Sequence, residues 1–214
     1  ISLHIITKNS FDFLYLLDLN APGSQRTLSE LLENMQQDGS WSIDTRTYQE
    51  TIITELTNEG EVFSYLIHDN KFVGSYTPFL VEDVVRLITD EAQPDFLQSN
   101  PSLATVPKLS KDDGNIYVNL RHISSLFGGM LNARSAALTD GLEIFGQSSF
   151  FDLTVNENTI LLNGFTEDGP NTFLSTFTGQ LPVGSSIKYM IPNSVAYLYQ
   201  FGLSDAGLWH DELK

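Results

Sequence analysis

The sequence predicts an α+β fold: mostly antiparallel sheets built from repeated hairpin-plus-helix units, with the helices packed on one face. Three observations lead there. Apolar and polar residues alternate with period 2 through much of the chain, turn-forming residues separate neighbouring alternating runs, and apolar residues at helical spacing follow them. Strands that pair locally as hairpins make antiparallel sheets, which bury one face under helices.

The elements follow in order. Residues 2–7 and 11–18 read as two strands joined at Lys8, Asn9 and Ser10. After Asn20, Ala21, Pro22 and Gly23, the spacing of Thr27 and Glu30 matches a capping box. Leu28, Leu31, Leu32 and Met35 then mark a helix closed by Gly39. Residues 61–68 and 71–77 alternate around Asp69 and Asn70, a pair suited to a tight hairpin. Pro78 opens a helix carrying Leu80, Val81, Val84, Val85 and Ile88 on one side. A third hairpin spans residues 151–155 and 160–166, and a short helix around Phe173, Leu174 and Phe177 follows it, ended by Gly179.

Simpler pieces lie between. Residues 48–56 and 141–147 read as extra strands leading into the second and third hairpins. Residues 116–120 and 122–130 read as strand then helix, and so do residues 195–201 and the segment from Ser204, taken as its N-cap. The recurring order suggests an internal duplication, although hairpin-plus-helix is also a frequent unit without any repeat. Residues 1–92 would form a first half and residues 115–214 a second. Residues 93–114, with Pro94, Pro101 and Pro107, have the composition of a connection between them.

Composition narrows the function. The 214 residues are 41% hydrophobic, with 14 Phe, enough for a real core. The net charge is −16, and the 11 Lys and Arg are scattered with no two adjacent. Nucleic acids and anionic lipids are held by clustered cations, so neither nucleic-acid binding nor direct anionic-membrane binding by this segment is expected. Without Cys there is no thiolate, disulfide or cysteine-ligated metal. No apolar run approaches the roughly 20 residues of a membrane-spanning helix. The chain opens on Ile1 and its last residues read as a helix in progress, so both ends are taken as cut, with a signal or anchor removed upstream.

Chemical motifs are sparse. Gly128, Gly129 and Gly164 lack phosphate-loop spacing, and Gly146 to Ser149 lacks the second glycine of a nucleophile elbow. His4, His68, His122 and His210 form no helical zinc pair. His122 could be combined with Ser124 or Ser125 and with Asp112 or Asp113, but Ser and Asp are common enough to neighbour any His. The stretches from Asp38 to Asp44 and from Lys111 to Asn115 offer oxygen ligands without calcium-loop spacing, and turn chemistry explains them more economically. Glu82 and Arg86 read as an i,i+4 pair on a solvated helix face. No catalytic, cofactor or metal residue is therefore assigned. Phe11, Phe13 and Tyr15 share one strand face and Tyr197, Tyr199 and Phe201 another; core packing uses such rings more often than sugar binding does. Trp41 and Trp209 are the weak candidates for a partner contact.

Three stretches carry a resemblance: Phe11 to Tyr15, Phe63 to Arg86, and Leu161 to Thr166, with Gln180 to Val183 and Ile191 to Asn193 fitting as well. Together they resemble an uncharacterised family of Bacteroidetes envelope proteins. The resemblance implies an extracytoplasmic address, periplasmic or surface, and a longer parent chain, with no catalytic residue to carry over. The expected function is a non-enzymatic binding or interaction module for an envelope protein or a glycan. The alternatives are a hydrolase with a site assembled from distant residues and a lipid or lipoprotein carrier, the last requiring a large apolar cavity.

Overall fold

Tight turns organise the first sheet. Gln49 and Glu50, Glu59 and Gly60, and Asp69 and Asn70 all have positive φ, the geometry of two-residue hairpin turns whose twist matches the strands they join. These turns link β3 (Ser42–Tyr48), β4 (Thr51–Asn58), β5 (Glu61–His68) and β6 (Lys71–Ser75) into an antiparallel meander. A separate hairpin, β1 (Ser2–Thr7) with β2 (Ser10–Asp18), joins through β2 alongside β6. The sheet order is β1-β2-β6-β5-β4-β3. This computed structural model describes residues 1–7, 10–37, 39–90, 92–104, 113–128, 141, 143–196, 198 and 200–213. The chain is α+β and divides into two compact units, Ile1–Val106 and Pro107–Lys214.

In the first unit the two long helices lie against opposite faces of the sheet, not on one face as expected. Helix α2 (Pro78–Thr89) brings Leu80, Val81 and Val85 onto Leu14, Ile53, Leu66 and Val73, forming the buried core. Helix α1 (Ser24–Gln37) instead faces the other side of the sheet. Strands β2, β5 and β6 carry apolar residues on both faces, so both faces need cover, which one helix cannot supply. Residues 48–56 form the end of one strand and most of the next, because Gln49 and Glu50 adopt the left-handed conformation despite lacking a Gly or Asn signal. Thr27 is not a cap: the helix begins three residues earlier, where the Thr27 amide already donates to the Gly23 carbonyl at 2.9 Å.

Glu82 and Arg86 do not pair with each other. Arg46 bridges Glu55 of β4 at 2.6 Å and Glu82 of α2 at 2.8 Å, tying helix to sheet. Arg86 binds Asp83 and donates to the Tyr48 hydroxyl at 2.6 Å. Charges at a helix–sheet margin find cross-element partners that helical spacing does not reveal.

The second unit holds β7 (Gly114–Asn119), β8 (Ser148–Asn156) and β9 (Thr159–Glu167) in an antiparallel sheet of order β7-β8-β9. A 3-10 turn, Leu120–His122, and the helix Ile123–Gly128 follow β7. The described part of residues 141–147 is not a strand. The Ile144 and Phe145 carbonyls accept from Phe173 and Leu174, so this backbone serves the 3-10 turn Leu174–Phe177. No strand forms among the described residues of 195–201 either; Phe201 packs its ring on Phe173 and Phe177 at 5.6 and 5.4 Å. The terminal helix Ala206–Glu212 is capped by Asp205 and not by Ser204, whose hydroxyl accepts from the Leu181 amide. Lys8, Asn9, Asp38, Lys111, Asp112, Gly129, Met130, Tyr197 and Tyr199, and most of residues 105–114, lie outside the described residues.

Candidate functional site

Alternation along the strands of the first unit sends one residue set to α2 and the other to α1. The set on the α1 side is dominated by rings. Tyr15 and Leu17 come from β2, Phe72 from β6, Phe63 and Tyr65 from β5, and Leu56 from β4. The rings form a continuous chain of contacts. Tyr15 lies 6.2 Å from Phe63, Phe63 stacks on Phe72 at 6.4 Å, Phe72 on Tyr65 at 5.3 Å, and Tyr76 meets the Phe63 edge at 4.9 Å. Separations of this order are favourable for aromatic pairs.

Helix α1 supplies the roof. Leu28, Leu31, Leu32 and Met35 recur at i, i+3, i+4 and i+7, which places them on one stripe of the helix. The stripe does not close onto the sheet. Between it and the rings lies a cleft of about 320 Å³, open to solvent at its mouth, with Trp41 completing the lining. None of its twelve described lining residues carries a charge, and their polar side-chain groups are the tyrosine hydroxyls and the indole N–H. Such a cleft can hold an apolar molecule by burial, and its described lining residues include no carboxylate or imidazole for acid–base chemistry.

The residues that the sequence singles out occupy different places. Trp41 is half-buried in this cleft. Trp209 belongs to the second unit, where its indole N–H donates to the Thr176 hydroxyl at 3.1 Å and its ring lies 6.4 Å from Phe177. His122 is exposed, and among the described residues no hydrogen bond joins it to Ser124, Ser125 or Asp113. The Asp113 carboxylate instead accepts from the Val155 amide at 2.7 Å. Asn115 donates to Asp152 at 2.8 Å, and Asp44 faces Glu55 across β3 and β4.

His4 is the histidine with the most defined surroundings. Its ring lies 2.9 Å from the Ser2 hydroxyl, opposite Asp12 on β2. Burial holds its pKa below the usual histidine value, partly opposed by the negative charge of Asp83. Asp18 sits below the usual carboxylate range because the backbone and side chain of Asn20 both donate to it. Burial raises the Tyr117 phenol.

The sequence singled out Phe11, Phe13 and Tyr15 as one strand face better suited to core packing than to sugar binding, and Leu28 to Met35 as a helical stripe; of these rings Tyr15 lines the cleft, and the stripe forms its roof. That the helix stands away from the rings is a matter of tertiary placement. No protein-family model, curated protein or solved structure matches this chain.

Proposed function

We propose that the first unit is a non-enzymatic binding module that takes a single unbranched apolar chain into the cleft between α1 and the sheet. The observation that carries the reading is the uncharged cleft of about 320 Å³. That volume is at the lower end of the roughly 300–1,000 Å³ of small-molecule sites. Four adjacent strands, β2, β6, β5 and β4, contribute to its floor. A space of about 320 Å³ lined by rings and Leu side chains suits a slender apolar chain. A glycan is a poorer occupant, because its hydroxyls would be desolvated among groups that offer few hydrogen bonds. This reading takes up the lipid-carrier alternative in place of an envelope-protein or glycan partner.

An extracytoplasmic address within a longer envelope protein, with an ancestral duplication of hairpin-plus-helix units, belongs to the same proposal. The absence of Cys and the abundance of neutral polar residues support the address, and antiparallel hairpins in both units support the duplication. The high negative charge argues against nucleic acid or an anionic bilayer as the partner.

The test is displacement of an environment-sensitive apolar dye by single-chain lipids, two-chain phospholipids and oligosaccharides in parallel. Displacement by single-chain lipids alone is expected. Displacement by oligosaccharides alone, or hydrolysis of an ester substrate without dye displacement, would overturn the proposal.

A further inference from the structure

Gly74 lies at the centre of the cleft floor, paired with Tyr15 on one side and Tyr65 on the other. Its Cα bears no side chain, and the space above it is already taken. A Cβ built there would come within 2.5 and 2.8 Å of the Phe63 ring and 3.2 Å of the Phe72 ring. Phe63, two residues along β5 from the Tyr65 that pairs with Gly74 and so on the same face, lays the far end of its ring over this gap, an aromatic covering a cross-strand glycine. The same ring touches Tyr15, Phe72 and Tyr76, so it is the junction of the aromatic floor.

We infer that Phe63, seated over Gly74, sets the depth of the cleft and therefore the length of apolar chain it accepts. The inference rests on the reading of the cleft as a binding site. With a hydrogen at position 74, the ring lies low and leaves space beneath α1. A larger group at position 74 overlaps the far end of the Phe63 ring and displaces it, and displacement toward α1 shortens the space beneath the helix. Removing the ring extends the space down to the Gly74 backbone. The two residues thus act in opposite senses on one dimension of the site, which distinguishes a length gauge from general packing.

The experiment measures binding of a homologous series of unbranched primary alcohols to the whole chain, by competition with the dye. Each methylene that enters the wild-type cleft strengthens binding about fourfold, until the chain outgrows the space and the gain stops. F63A moves that limit to longer alcohols, F63L moves it less far, and G74A moves it to shorter ones. Circular dichroism and urea unfolding confirm that each variant is folded; if F63A does not fold, F63L and G74A still bracket the wild type from either side. An unchanged limit in folded F63L and G74A, with wild-type binding intact, overturns the gauge and leaves the cleft reading standing. Absence of alcohol binding by the wild type overturns the cleft reading itself.

Discussion

Trp41 and Trp209 make the chain its own reporter, because one lines the cleft and the other packs on Phe177 in the second unit. An apolar ligand is expected to change the emission of Trp41 alone. W209F should keep the full ligand response and W41F should lose it, as read by steady-state fluorescence titration. His4 offers a second test at this scale. Its folded pKa lies below the unfolded value of about 6.5, so the unfolded chain binds the proton more readily. Stability from this group is therefore complete above about pH 6.5 and is lost as the pH falls toward the folded pKa. The charged groups facing it are Asp83 of α2, which opposes the shift, and Asp12 of β2 across the strand pair. H4Q should flatten the urea-midpoint profile between pH 7 and roughly pH 5. Arg46 joins two carboxylates at 2.6 and 2.8 Å in a half-buried setting, so E82Q should lower stability by about 1 kcal/mol, measured as a shift in urea midpoint without a change in slope.

At the scale of elements, the strands and both long helices carry ordinary local signals, α1 through Leu28, Leu31, Leu32 and Met35. Alternation and the Asp69–Asn70 turn made β5 and β6 legible, and Pro78 with its apolar stripe made α2 legible, because these signals are local. The Gln49–Glu50 turn was not, since neither residue announces a positive φ; tight pairing of β3 with β4 imposes it. Residues 141–147 and 195–201 alternate like strands but form none among those described, because Phe145 and Phe201 are drawn into ring contacts with Phe173 and Phe177. Aromatic burial overrides a strand preference that is itself largely a packing preference. In β9, Gly164 abuts the Phe150 carbonyl so closely that a Cβ would overlap it. G164A forces apart two paired backbones, not merely side chains, and should destabilise the protein by at least about 2 kcal/mol in urea unfolding.

For the whole molecule, the division into Ile1–Val106 and Pro107–Lys214 places all the described lining residues of the cleft in the first unit. Ligand binding should therefore slow amide hydrogen exchange in β2, α1, β5 and β6 while leaving β7, β8 and β9 at their unliganded rates, as mass spectrometry of peptic fragments would show. Protection in β8 and β9 alone would place the ligand elsewhere.

The sequence by itself determined the α+β class, the antiparallel hairpins and most strand positions, since side-chain period and turn chemistry act over a few residues. It also determined the charge and the missing thiols that direct attention away from nucleic acid and cysteine chemistry. Only the tertiary structure decided that α1 and α2 lie against opposite faces of the sheet, that Arg46 bridges helix and strand, and that the aromatic face stands open beneath α1. A run of Leu and Phe reads the same whether its partner is in contact or one ligand's width away; that distance is set by how whole elements pack, and no local pattern of residues encodes it.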